Sequence, residues 1–153
     1  MNKSYSFSDP LISLQVVKSF IKNSLEEDIG AGDFTTNACI SKSQSGTAII
    51  FSKEAGIIAG VELAKFIFEY MDKSTKAKII CKDGSKVKKG DTVLQIYGNA
   101  RSVLTLERLV LNCMQRMSGI ATITNDVVAL VKGFPVKIID SRKTAPQIRF
   151  LDK

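Results

Sequence analysis

TKAKIICKDGSKVKKGDTVLQIYG, residues 75–98, is the stretch that decides the fold. Ala77, Ile79 and Cys81 alternate with Lys76, Lys78, Ile80 and Lys82, the period of two expected of a strand with one buried face. A turn is expected at Asp83-Gly84, a second at Gly90-Asp91, and a further strand over residues 93–97. The glycines permit positive φ at the turns, while Val87, Val93 and Ile96 are set to face a small core. Lysines at 73, 76, 78, 82, 86, 88 and 89 outnumber Asp83 and Asp91; they read as a solvated face guarding edge strands. No aromatic residues interleave with them, so nucleic-acid binding is not expected.

Working outward, residues 60–72 (GVELAKFIFEYMD) carry helical spacing, with Val61, Ala64, Ile67, Phe68 and Met71 expected inward. Residues 47–53 and 56–59 are short β-type runs, and the Gly-, Thr- and Ser-rich residues 31–45 are expected to be a loop. Residues 9–29 read as a helix with Leu11, Leu14, Val17, Ile21 and Leu25 on one face, Asp9 as N-cap, Pro10 at the first position and Gly30 as the stop. Residues 101–132 form the longest helical pattern, with a break expected near Ser118-Gly119; its first half is apolar on nearly every face, as in a buried or interface helix. Residues 136–140 (VKIID) read as a strand, residues 141–149 as a polar loop, and a helix-like pattern begins at the end. The hairpin is similar to those of barrel-sandwich modules, but no lysine stands in the EAMKM-like or DKA-like context of a biotinyl or lipoyl carrier.

The chain has 153 residues, 44% hydrophobic and 24% charged, with a formal net charge of +7, all within the range of ordinary globular domains. A complete eight-stranded α/β barrel typically takes roughly 250 residues, so this length excludes one. There is no histidine, which removes any Ser-His or Cys-His nucleophile system built by this chain alone. Cys39, Cys81 and Cys113 are widely spaced and lack CxxC pairing, so neither a disulfide framework nor a zinc site is expected. No apolar run approaches the roughly 18 residues of a membrane span, and no secretory leader pattern opens the chain; a cytoplasmic location follows.

Two constellations carry chemistry. Glu107-Arg108 sits in the apolar helix with only Val103, Leu104, Val110, Leu111, Thr105 and Asn112 three or four residues away, so neither charge has a partner on its own helix. Either other elements supply ion pairs, or Arg108 aims its donor fork at a carboxylate or phosphate. Asp140-Ser141-Arg142-Lys143-Thr144 follows the β-type run, where α/β architectures place ligands; it is either an ordinary basic loop or a set of donors for an anion.

Taken in order, Glu27-Asp28-Ile29-Gly30-Ala31-Gly32-Asp33-Phe34-Thr35-Thr36, GIIAG at 56–60, Gly90-Asp91, Glu107-Arg108 with Leu111-Asn112, Ser118-Gly119-Ile120-Ala121-Thr122, and Ser141-Arg142-Lys143-Thr144 with Pro146 and Arg149 resemble the quinolinate phosphoribosyltransferase family. The resemblance covers roughly residues 25–153. It implies an α+β fold: an N-terminal α/β sandwich (barrel-sandwich-like) domain over residues 1–115, followed over residues 116–153 by the first strand of a truncated α/β barrel. It implies transfer of phosphoribose from phosphoribosyl pyrophosphate to quinolinate with loss of carbon dioxide, giving nicotinate mononucleotide and pyrophosphate for NAD synthesis. It also implies magnesium as cofactor, with no ligands identified in this chain, and a homodimer in which Arg108 reaches the partner's site and holds a quinolinate carboxylate. Ser141, Arg142 and Lys143 would line the substrate pocket.

The family's later glycine-rich His-Arg stretch, further lysine and acidic residues have no counterpart here, so no catalytic set is complete and an inactive, truncated form is expected. A non-catalytic dimerisation or binding module and the molybdenum-associated pyrophosphorylase relative are the alternative readings. Ser141 stands where Thr is usual, and Gln147 where Gly is common; a positive φ at Gln147 would carry a cost.

Overall fold

A computed structural model describes residues 13–153. Helix α1 (Leu14–Ile29) is capped by Ser13, whose hydroxyl accepts the Val16 N–H at 3.2 Å, and Gly30 ends it at φ 54. Asp9 and Pro10, expected at this helix start, lie outside the described residues. The stretch expected to be a loop at 31–45 holds a short helix, α2 (Phe34–Cys39). The cap explains the correction: Asp33 accepts the Thr36 N–H at 3.0 Å and so satisfies a donor that a helix start leaves open.

Strands β1 (Ser45–Phe51), β2 (Gly56–Ile57), β3 (Lys76–Ile79), β4 (Lys86–Val87) and β5 (Thr92–Asn99) form two antiparallel sheets, ordered β1-β5-β3 and β2-β4. The alternation at 75–82 is realised by the register of β3 on β5, which pairs Ala77 with Ile96 inward and Lys76 with Tyr97 outward. Lys76 and Lys78 are exposed on the edge strand, as the sequence pattern requires. Val87, Val93 and Ile96 are buried, as expected of the hairpin.

Helices α3 (Val61–Met71) and α4 (Ala100–Leu130) cover the inner face, and Val61, Ile67, Val93, Leu94, Ile96 and Val110 are all but sealed from solvent. Met71, expected inward, is 46% exposed at the last turn of α3, whereas Leu63 and Phe66 are buried. Gly60 precedes α3 at φ 87 and offers no capping side chain; Asp83, from the turn after β3, accepts the Val61 N–H at 2.7 Å and the Glu62 N–H at 3.2 Å instead. A Cβ at Gly60 would lie 2.8 Å from Met117 Sδ, so both its backbone angle and its proximity to α4 call for glycine.

The break expected at Ser118-Gly119 does not occur: α4 runs unbroken for 31 residues. The polar residues that suggested it turn sideways. Ser118 Oγ accepts the Ala59 N–H at 3.0 Å and donates to the Ala59 carbonyl at 3.1 Å, stitching the helix to the chain beside β2. Leu106, Leu109, Val110, Cys113 and Met114 are buried on one face while Leu104 is exposed, so the first half of α4 is one-sided rather than enclosed.

Residues 136–140 form no strand. No neighbouring strand takes up their backbone groups in a ladder, and Val136, Ile138 and Ile139 are exposed. The chain then returns to the body, where the short helix α5 (Arg149–Asp152) buries Leu151, and Phe150 meets Phe20 of α1 edge-on at 5.2 Å. Among the described residues the architecture is α+β, with open sheets and no closed barrel.

Candidate functional site

Burial of Leu106, Leu109 and Val110 on one side of α4 forces Arg108 to the other, in line at four-residue steps with Asn112 and Arg116. These side chains border a cleft of about 390 Å³ against α1, which supplies Phe20, Glu27 and Asp28, with Ile148 and Leu151 along the third side. Arg108 Nη1 donates to Asp28 Oδ1 in an ion pair whose side chains are 69% and 27% exposed respectively. Arg108 is therefore paired with another element, the first of the two sequence alternatives, and it also borders an open cleft. Glu107 is exposed and forms no ion pair with a described residue.

The hydrogen bond from Arg108 to Asp28, reinforced by the carboxylate's charge, raises the guanidinium above its ordinary pKa, and Asp33 and Glu107 add to this. Asp33 is the second acid near the site. Hydrogen bonds from Thr36 hold its carboxyl below the usual carboxylate range, burial opposes them, and the Thr105 hydroxyl and Arg108 add lesser lowering effects. Thr105 Oγ1 donates to Asp33 Oδ2 at 3.1 Å, so the acidic motif at 27–36 is anchored to α4 one turn before Arg108. Arg101 makes a second anchor: its Nε donates to the Ile40 carbonyl at 2.7 Å, and Nη1 and Nη2 to Asn37 at 2.9 Å each.

Ser141, Arg142 and Lys143 lie on exposed coil, and none of them lines the cleft at Arg108. Ser141 Oγ accepts the Lys143 N–H at 3.1 Å, while Arg142 and the Lys143 ammonium make no ion pair with a described residue. Within one chain the two cationic groups are thus separate. Sequence reasoning missed Asp28 as the partner of Arg108, 80 residues away, and missed Arg116, which donates from Nε to Asp152 Oδ1 at 2.6 Å. Helical spacing from Arg108 was the available signal for Arg116; no local pattern identifies Asp28 as a partner.

The cleft sets the carboxylates of Glu27 and Asp28 beside the guanidinium groups of Arg108 and Arg116, and among the described residues no three His, Cys, Asp or Glu side chains converge as a magnesium site would need.

The fold is an open α+β sandwich whose first and longest helices flank a cleft bordered by Arg108. A family model described as quinolinate phosphoribosyl transferase, N-terminal domain, matches residues 33–118, and the chain belongs to that family. It is 44% identical over 138 residues to the chloroplastic nicotinate-nucleotide pyrophosphorylase [carboxylating] of Arabidopsis thaliana, covering 90% of this chain and 39% of that one. A probable nicotinate-nucleotide pyrophosphorylase [carboxylating] of Bacillus subtilis is 38% identical over 137 residues, covering 90% and 47%. The crystal structure of NadC from Streptococcus pyogenes superposes with a TM-score of 0.85 at 34% identity, over 92% of this chain and 51% of that chain. The nicotinate-nucleotide pyrophosphorylase of Ehrlichia chaffeensis gives 0.82 at 36%, over 94% and 51%. The chain thus spans from about two-fifths to half the length of these relatives.

Proposed function

We propose that this chain supplies the carboxylate-gripping part of a quinolinate phosphoribosyltransferase of NAD biosynthesis, working as a homodimer in which Arg108 reaches the partner's substrate site. The observation that carries this reading is the Arg108 guanidinium, presented in an open cleft with one nitrogen on Asp28 and no other described residue taking its remaining donors. Quinolinate is a dianion and phosphoribosyl pyrophosphate a polyanion, so a site for both must gather fixed cations. Arg108 would grip one ring carboxylate, and Ser141, Arg142 and Lys143, exposed on their coil, would meet the substrates from the other side of the dimer interface. Holding the ring in line with the ribose carbon contributes by proximity, and guanidinium groups beside the carboxylates stabilise the charge that moves as carbon dioxide leaves.

Magnesium would accompany phosphoribosyl pyrophosphate; this chain's residues act on the anions. The sandwich part, set from the sequence at 1–115, and the barrel part at 116–153 would share α4, which passes through that boundary. Among the described residues no helix is long and apolar enough to cross a membrane. The unpaired Cys39, Cys81 and Cys113 suit a reducing compartment, which supports the cytoplasm.

A second reading is a non-catalytic dimerisation or binding module. The exposed apolar residues Leu130, Phe134 and Ile139 favour it, because such surface is normally covered. Purified chain incubated with quinolinate, phosphoribosyl pyrophosphate and magnesium separates the two. Steady formation of nicotinate mononucleotide supports the transferase. No product and no quinolinate uptake by calorimetry would leave only the module.

A further inference from the structure

We propose that Asp28 is a positioning residue for Arg108, fixing one nitrogen of the guanidinium at the cleft between α1 and α4 so that its remaining donors face the substrate carboxylate that the partner's site presents there. The inference rests on the functional reading above and adds a residue to it. Asp28 occupies the last turn of α1, which carries no basic residue, so its charge sits at the negative end of the helix without local compensation. Arg108 likewise has no acidic residue three or four positions away on α4, where Leu104, Thr105, Leu111 and Asn112 stand. Each charge therefore finds its match across the cleft.

Asp33, a further acid near Arg108, is already committed. Asp33 accepts the Thr36 N–H at 3.0 Å and the Thr105 hydroxyl at 3.1 Å, so it does not draw the guanidinium away from Asp28. Arginine has five N–H donors in a planar fork, and Asp28 is bound through Nη1 alone. The rest of the fork stays available for the two oxygens of a ligand carboxylate. A long side chain that is otherwise 69% exposed would sample many rotamers; held at one end by Asp28, it loses less freedom when the ligand arrives.

The test titrates quinolinate by calorimetry into the parent chain and into D28N, D28E and R108L, with the ordering of the Arg108 Nε–H followed by NMR in the ligand-free proteins. D28N is expected to bind roughly 3–10-fold more weakly, the cost of freezing one free side chain on binding. Its Arg108 Nε–H should become mobile while the urea midpoint stays that of the parent. D28E, which keeps the carboxylate, should recover part of the affinity; R108L should lose it. A D28N protein that binds as tightly as the parent, or more tightly, overturns the proposal, the tighter result marking Asp28 as a competitor for the guanidinium. If the parent binds no quinolinate at all, the functional reading fails and the positioning role falls with it. A bound parent with an indifferent D28N sinks the positioning role alone.

Discussion

Thr122 Oγ1 accepts the backbone N–H of Ile57 at 2.9 Å while donating to the Ser118 carbonyl at 2.7 Å, so one hydroxyl in the middle of α4 ties the helix to strand β2. The contact is tight enough that a Cβ on Gly56 would stand 2.7 Å from that oxygen. Thr122→Val keeps the shape and removes the hydroxyl, leaving a half-buried N–H without its partner. It should cost about 1–3 kcal/mol in urea unfolding. Thr122→Ser, which retains the hydroxyl, should stay close to the parent.

Gly98 meets Thr75 with no room for a side chain: a Cβ there would lie 2.4 Å from Thr75 Oγ1 and 3.2 Å from its backbone Cα. Rotating the hydroxyl away would leave the backbone contact, so Gly98→Ala must shift β5 against the segment leading into β3. An overpacking loss of about 1–3 kcal/mol is expected in a denaturant melt. Gly46, paired with Gly98 across β1 but with open space at its own Cβ, is the control; its alanine variant should lose less.

How far the sequence alone led is seen at particular residues. The alternation at 75–82 and the glycine turns led to the β3–β5 pairing because strand register is a local signal reinforced by burial. Around Asp33 the Gly-, Thr- and Ser-rich composition favours a loop, yet the Asp33 carboxylate accepts the Thr36 N–H and opens helix α2. Ser118-Gly119 looked like a break because propensity counts the helix in isolation, whereas the Ser118 hydroxyl bonds Ala59, 59 residues away. Residues 136–140 have the composition of a strand but no neighbour to pair with. At the site, Arg108 stood out as a charge in an apolar helix, but its partner Asp28 is a tertiary fact that no spacing encodes.

Arg108 is mostly exposed and its pairing with Asp28 lies in water, where such pairs contribute little to folding. Arg108→Leu should therefore leave the urea midpoint nearly unchanged and abolish quinolinate binding when measured by calorimetry. A variant that unfolds instead would make Arg108 a structural residue and remove the chief support for the functional reading.

Gln147 is the one non-glycine residue with positive φ among the described residues, at 66°. An L-residue in this region costs roughly 1–2 kcal/mol, and glycine gives back about 0.5–1 kcal/mol through its freer unfolded state. Gln147→Gly should thus stabilise the chain by about 0.5 kcal/mol. The gain should appear as slower amide exchange over residues 145–151, the segment the turn aims at α1 and α4.

Asp152 holds that same segment from the other end. Its Oδ1 accepts from Arg116 Nε at 2.6 Å and its Oδ2 from the Ala145 N–H at 2.7 Å. The hydrogen bond from Arg116, then that from Ala145, push its carboxyl below the ordinary value against the opposing effect of burial. A carboxyl whose folded pKa is depressed contributes stability that is present above its unfolded value, about 3.9, and is lost as pH falls through the lower folded one. The segment should therefore stay docked at neutral pH and loosen below about pH 4. The Phe20–Phe150 contact and buried Leu151 carry no titrating group, so α5 should loosen without the core melting. The Ala145 amide, followed by NMR from pH 6 downward, should shift and lose exchange protection in that window. In Asp152→Asn the Ala145 amide should lose most of this step, and what remains reports Asp140, whose carboxyl the Lys153 ammonium also holds below the ordinary value.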